Sequence, residues 1–178
     1  MTPQERAFAV EQLQECRRRL ETVVSELTSH QWQFRPAEAD WSPAECVEHL
    51  ALMEDLVYGL IQRALETPAE PSQRALTEGK DEFVLRAVPD RRRKVKAPES
   101  LQPGGRWEPQ EALQQFRERR ERTIRFAEST GVNLRNHVFT HPFLRELDAY
   151  QWILILAVHT ERHTRQIEEV RQSPAFPA

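Results

Sequence analysis

The stretch 147–170, LDAYQWILILAVHTERHTRQIEEV, decides how the rest of the chain is read. Asp148 followed three residues later by Gln151 is a capping-box start: one side chain accepts from the first free amides and the other reaches back. From there Trp152, Ile155, Leu156 and His159 fall on one side of a 3.6-residue period, and His163 and Gln166 continue that side. The period predicts a helix over 147–172 whose apolar stripe runs into two histidines. Imidazoles four residues apart on a helix lie one turn apart, close enough to share a metal ion. They extend the stripe and do not join Glu161, Arg165 and Glu168 on the charged face. A histidine pair in that position is more often a core feature than a ligand pair, so a third histidine on another helix is what tips the reading.

Working outward, Trp41-Ser42-Pro43-Ala44-Glu45 supplies a second helix start, with Ser42 as N-cap, Pro43 at the first helical position and Glu45 as its capping partner. This helix is expected over 42–66, where Thr67-Pro68 stops it. Glu45, His49, Met53, Leu56 and Leu60 share one of its faces, which puts His49 on an apolar stripe as well.

Two further stripes complete the set. Thr2, Pro3 and Glu5 start a helix over 3–29 that carries Phe8, Leu13, Cys16, Leu20, Val24 and Leu27. A helix over 109–130 turns Leu113, Phe116, Ile124 and Ala127 inward and Arg117, Arg119, Arg120 and Glu121 outward, and Thr130-Gly131 ends it. Four amphipathic helices predict an all-α protein: a four-helix bundle in one domain over 1–178, with a long crossover connection between the second and third helices. Trp32, Phe34 and Pro36 read as an extended aromatic connection over the end of the bundle, with His30 in a surface turn. His137 and His141 lie in a loop before the last helix, where histidines are usually exposed; His141, fixed by Pro142, is the nearer to the pocket.

The connection 67–107 collects Pro68, Pro71, Pro89, Pro98 and Pro103 with Gly79, Gly104 and Gly105. A connection of that length inside a compact domain is more often functional than idle. A short helix is expected over 78–88. Arg91-Arg92-Arg93-Lys94 is a basic cluster whose functional reading is phosphate or carboxylate binding; with no aromatic platform beside it, a solvated loop is the favoured reading.

Composition excludes several classes. With 178 residues, 39% hydrophobic and 30% charged, the chain can bury a core beneath solvated helix faces. A net charge of −3 offers no field for nucleic acid or an anionic membrane. Cys16 and Cys46 are too few for a disulfide framework and fit a reducing compartment. The polar start MTPQERAFAV is unlike a signal peptide, and the apolar run 152–158 is too short to span a bilayer. The expectation is a soluble cytoplasmic protein with no nucleic-acid or membrane partner.

Taken together, Trp41-Ser42-Pro43-Ala44-Glu45 with His49, then His141-Pro142, then His159-Thr160-Glu161-Arg162-His163 with Gln166-Ile167, resemble the DinB/YfiT-like superfamily. The segments 90–94, 96–99 and 105–107 also resemble the middle connection of one of its subgroups. The resemblance covers nearly the whole chain. It implies a bundle whose pocket holds one divalent metal ion on His49, His159 and His163, with zinc or nickel the leading metals and iron or manganese the alternatives. It further implies a small-molecule substrate, and a homodimer is the expected assembly. Relatives include S-transferases that use bacillithiol, mycothiol or glutathione, and a mycothiol-dependent isomerase. Transfer of a low-molecular-weight thiol is therefore the leading expectation, with metal-dependent hydrolysis, or a binding module without turnover, as alternatives. One departure stands out: a glycine common three residues after the His-Pro pair is Arg145 here.

Three neutral imidazoles would leave a metal with open positions, the arrangement of catalytic sites. The zincin arrangement is missing, because Thr160 follows His159 and Glu161 points about 200° away around the helix. Glu45, one turn before His49, is the candidate catalytic carboxylate, acting as a base or as support for a ligand. Its alternative role is the cap. Cys46 lies about 60° around the helix from His49 and reads as a small buried residue. Arg162, near the ligand face, is either an anion contact or a solvated side chain.

Overall fold

The start signals become helix N-termini in the structure, a computed structural model that describes residues 1–92 and 95–178. Helix α1 (Pro3–Val24) opens on the Thr2/Glu5 capping box. After a short α2 (Ser29–Gln33), α3 (Pro43–Leu65) opens on Ser42/Glu45. The connection that follows holds 3-10 turns at Pro71–Leu76 and Glu99–Leu101 around α4 (Lys80–Ala87), where the short helix was expected. Next come α5 (Pro109–Ser129), with proline at its first position, and α6 (Ala149–Arg171), opening on Asp148/Gln151. Between these two a 3-10 turn, Leu134–Asn136, leads into β1 (Val138–His141), paired antiparallel with β2 (Arg145–Asp148).

The molecule is a four-helix bundle with a minor two-stranded sheet. Helix α1 packs against α5 and α6, and α3 packs against the same two. So α1 and α3 share one diagonal of the bundle and α5 and α6 the other, unlike an up-down-up-down bundle, in which successive helices are neighbours. Helix α4 lies along α6. The core falls into two apolar clusters, one around Leu13, Ile61, Ile124 and Ile153, the other around Leu20, Leu50, Phe116 and Trp32. No helix among the described residues is long and apolar enough to cross a membrane.

Several expectations change at this level. Helix α1 stops at Val24, five residues early, because Thr28 and Gln31 form a capping box of their own and restart the chain as α2. The segment read as extended is thus helical through Trp32, whose side chain is buried in the core, and extended only from Phe34. On α1, Ala9 is buried and Phe8 exposed. On α3 the buried arc runs through Leu50, Glu54, Val57 and Ile61, and Leu56 is exposed. The loop expected over 132–146 contains the hairpin, whose four-residue strands are too short to show a period of two.

The largest correction is Arg120, expected to point outward and in fact fully buried. Its guanidinium meets Glu54 Oε1 through Nε at 2.7 Å and donates to the carbonyls of Leu13 and Leu156 and to Thr160 Oγ1. The other Glu54 oxygen accepts from Thr123 Oγ1 at 2.8 Å. One ion pair thereby ties α1, α3, α5 and α6 together. On α5, Arg120 falls between Phe116 and Ile124 on the buried stripe, so the period itself placed it inside. Only its charge argued otherwise, and four hydrogen bonds with the Glu54 carboxylate among the acceptors make that burial tolerable.

Candidate metal centre

His49, in the second turn of α3, and His159 and His163, one turn apart on α6, bring their imidazoles together between the two helices. Their ligand-capable nitrogens all lie within 4.8 Å of one another. The His159 Nε2 is 3.0 Å from His49 Nε2 and 3.1 Å from His163 Nε2.

The outward nitrogens fix what faces inward. His49 Nδ1 is 2.7 Å from the Leu101 carbonyl, which only accepts, so Nδ1 carries the proton and Nε2 presents its lone pair. His163 Nδ1 is 3.0 Å from Gln166 Oε1, which also accepts from Arg91 Nη1 at 3.0 Å. Its Nδ1 therefore donates and its Nε2 is also a lone pair. His159 Nε2 faces both of these nitrogens and could give a proton to only one of them. A single cation at the focus satisfies all three. Nitrogens about 2.0–2.1 Å from a tetrahedral metal lie about 3.3 Å apart, close to the separations observed.

Electrostatics favour neutral ligands. Burial lowers the pKa of His49 from its ordinary value, with the Leu101 carbonyl opposing, and drives those of His159 and His163 well down, with the neighbouring imidazoles adding to the effect. Neutral imidazole is the form that binds a metal. Trp41 covers the cluster, its ring 4.9 Å from that of His49 and stacked 5.8 Å from that of His163.

The long connection serves the site at two points. Glu48, buried beside His49, accepts from the amides of Gly104 and Gly105 and from Arg106 Nη1 at 2.8, 3.0 and 2.9 Å. Burial alone would raise this carboxyl, but those hydrogen bonds outweigh it and hold it below its ordinary value. Pinning 104–106 fixes nearby Leu101, whose carbonyl orients His49. At the other point Arg91, read from sequence as solvated, is bonded to Gln166 and Glu169 of α6. Arg92 pairs with Asp90 and is exposed; Arg93 and Lys94 of the same cluster lie outside the described residues.

The remaining candidates stand apart from the cluster. Glu45 accepts from the Ser42 amide at 2.8 Å and pairs with Arg35 at 2.5 Å, so its carboxylate is engaged in the cap. Cys46 is fully buried, which pushes its thiol pKa up. Arg162 donates to the carbonyls of Val88 and Asp90. His30 is exposed, and His137, expected at the surface, is buried with its Nδ1 3.1 Å from the Ala64 carbonyl. His141 ends β1 against Trp152, ring centroids 4.9 Å apart, and its Nδ1 accepts the amides of Phe143 and Leu144 at 3.1 Å each. Its burial lowers the imidazole pKa to about 4. Glu48, Gln166 and Arg91 were missed as parts of the site. Gln166 at least was visible on the histidine stripe, one turn beyond His163.

A family model of the DinB superfamily matches residues 12–167. The uncharacterized protein YuaE of Bacillus subtilis is 25% identical over 161 residues, covering 86% of this chain and 93% of that protein. Among solved structures, YfiT from Bacillus subtilis superposes with a TM-score of 0.59 at 14% identity, over 99% of this chain and 91% of that one. YfiT is described as a probable metal-dependent hydrolase with an unusual four-helix bundle topology.

Proposed function

The chain belongs to the DinB superfamily, and from that premise we propose that it is a metal-dependent enzyme acting on a small molecule. The observation that carries the proposal is the convergence of three Nε2 atoms on one point, where His49 and His163 present lone pairs and a proton on His159 could serve only one of them, so that a single cation satisfies all three. His49, His159 and His163 would hold one divalent ion, zinc or nickel first and iron or manganese next, since imidazole sites accept all of them. Held by these three neutral imidazoles, such an ion would supply Lewis-acid activation of water or a thiol as a nucleophile. Leu101 and Gln166 keep the ligand tautomers, and Trp41 and the buried faces of α3 and α6 keep bulk water from the imidazoles.

Two nucleophiles give two readings. Transfer of a low-molecular-weight thiol follows from the sequence resemblance, and hydrolysis is favoured by the description of YfiT. Glu45 could handle a proton in either case only by leaving Ser42 or Arg35, so the geometry supports capping as its main role. A binding module without turnover is less well supported, because Arg91 and Arg92 of the basic loop are engaged within the chain. The test is elemental analysis of protein purified without an affinity tag. It is followed by turnover of thiol-plus-electrophile pairs and of ester and amide substrates, with His49→Ala as control. One metal per chain and a conversion lost in His49→Ala are expected. Absence of bound metal in the wild type, even after incubation with zinc and nickel, would falsify the reading.

A further inference from the structure

The turn after α4 lies against the ligand-bearing part of α6. Arg91 Nε and Nη2 grip the Glu169 carboxylate at 3.0 and 2.8 Å, and its Nη1 is left to donate to Gln166 Oε1 at 3.0 Å. That same oxygen accepts from His163 Nδ1 at 3.0 Å. The Arg91 side chain is only 17% exposed, so this contact is shielded from water. Arg162, the residue before His163, holds the turn from α6 through the carbonyls of Val88 and Asp90.

A glutamine amide has two faces. With Oε1 toward His163 it accepts the Nδ1 proton and leaves Nε2 as a lone pair; flipped, its NH2 would donate to Nδ1 and put the ring proton on Nε2, where it blocks ligation. A guanidinium donates only, so Arg91 selects the first face. Its planar fork can hold Glu169 with two donors and still aim a third at Gln166, which a lysine cannot do. Resting on the metal reading above, we infer that Arg91 is a positioning residue for the metal centre, setting the His163 tautomer through Gln166.

The test uses the full chain and two readouts that need no substrate. In metal-free protein, nitrogen-15 NMR of the imidazoles reports which ring nitrogen of His163 is protonated; a titration with cobalt(II), followed by its visible absorption, reports affinity. Wild type should show protonated Nδ1. Arg91→Ala should show a mixture of tautomers and about tenfold weaker cobalt binding, as is common when the outer partner of a ligand is lost. Adding Gln166→Glu to Arg91→Ala should restore both, because a carboxylate has no donor face to flip. Arg92→Ala, in the same turn, should change neither. Unchanged tautomer and affinity in Arg91→Ala, or an equal change in Arg92→Ala, overturns the inference. If Arg91→Ala does not fold, Arg91→Lys, which cannot hold Glu169 with two donors and aim a third at Gln166, carries the same expectations. A wild type that takes up no cobalt sinks the metal reading, while the tautomer result decides separately whether Arg91 sets His163.

Discussion

Arg145 shows how one side chain records a backbone constraint. The hairpin pairs His141 with Arg145 across the loop 142–144, and Arg145 has φ 65°, in the left-handed region. The chain enters β2 through this left-handed residue, and glycine is favoured there because it lacks a Cβ. An arginine there strains the backbone only locally: the turn is held by His141 Nδ1, which accepts the Phe143 and Leu144 amides. The left-handed conformation costs a non-glycine residue about 1–2 kcal/mol, of which the greater freedom of unfolded glycine cancels roughly half. Arg145→Gly should therefore raise stability by up to about 1 kcal/mol in denaturant unfolding, and Arg145→Ala should not. A loss of stability in the glycine variant contradicts this account. Arg120 and Glu54 set the opposite case, where an uncompensated buried charge decides. Glu54→Ala should cost about 3–5 kcal/mol, and Glu54→Leu combined with Arg120→Met should cost less than either single change. Additive losses in the double variant would remove the ion pair as the cause.

At the scale of the helix, the caps carry the local specification. Ser42→Ala removes an acceptor for the Glu45 amide and should lower stability by about 1 kcal/mol. Glu45→Gln is more informative, because glutamine serves the reciprocal bond of a capping box as well as glutamate does. Its stability should stay within about 0.5 kcal/mol of wild type, the exposed Arg35 pair being worth little. Turnover should stay within a few-fold; a fall of about a hundredfold or more at unchanged stability would instead make Glu45 a proton-transfer group. Helix α6 fixes the spacing of His159 and His163 by its own geometry. His49 reaches them only because α3 packs directly on α6.

Both apolar clusters lie in the helix packing, so stability is expected to rest on the bundle and not on a bound metal. Chelation should abolish turnover while leaving far-UV helix content intact and one cooperative thermal transition, in contrast to small zinc domains that unfold without metal. Outright unfolding on chelation would make the metal structural. Acid should act on the metal-free protein through its buried histidines. His141 is lowered from 6.5 to about 4, and His49, His159 and His163 are lowered too. Between those values the unfolded chain binds more protons than the folded one, so stability rises with pH across that window. It should be fully present above about pH 6.5 and decline as pH falls toward 4; a denaturation midpoint flat from pH 7 to 5 would be inconsistent with this.

A single segment of chain carries what local geometry imposes on it. Helical period and capping boxes place α3 and α6 to within about two residues and put His49, His159 and His163 on core-facing stripes, because period and cap chemistry act within a single turn or two. The Thr28/Gln31 box that restarts the chain was equally local, but short, and it was masked by the aromatic residues that follow. Matches between groups distant in sequence arise only where the elements pack. Arg120 is buried because Glu54, Thr160 and two carbonyls meet it from three other helices. The Leu101 carbonyl and the Arg91–Gln166 pair fix which nitrogen each outer histidine turns inward. A side chain's charge or ring states what it can bond to. Whether a partner stands within about 3 Å, and so whether burial is tolerated or a lone pair is aimed, is set by packing between elements that no local pattern encodes.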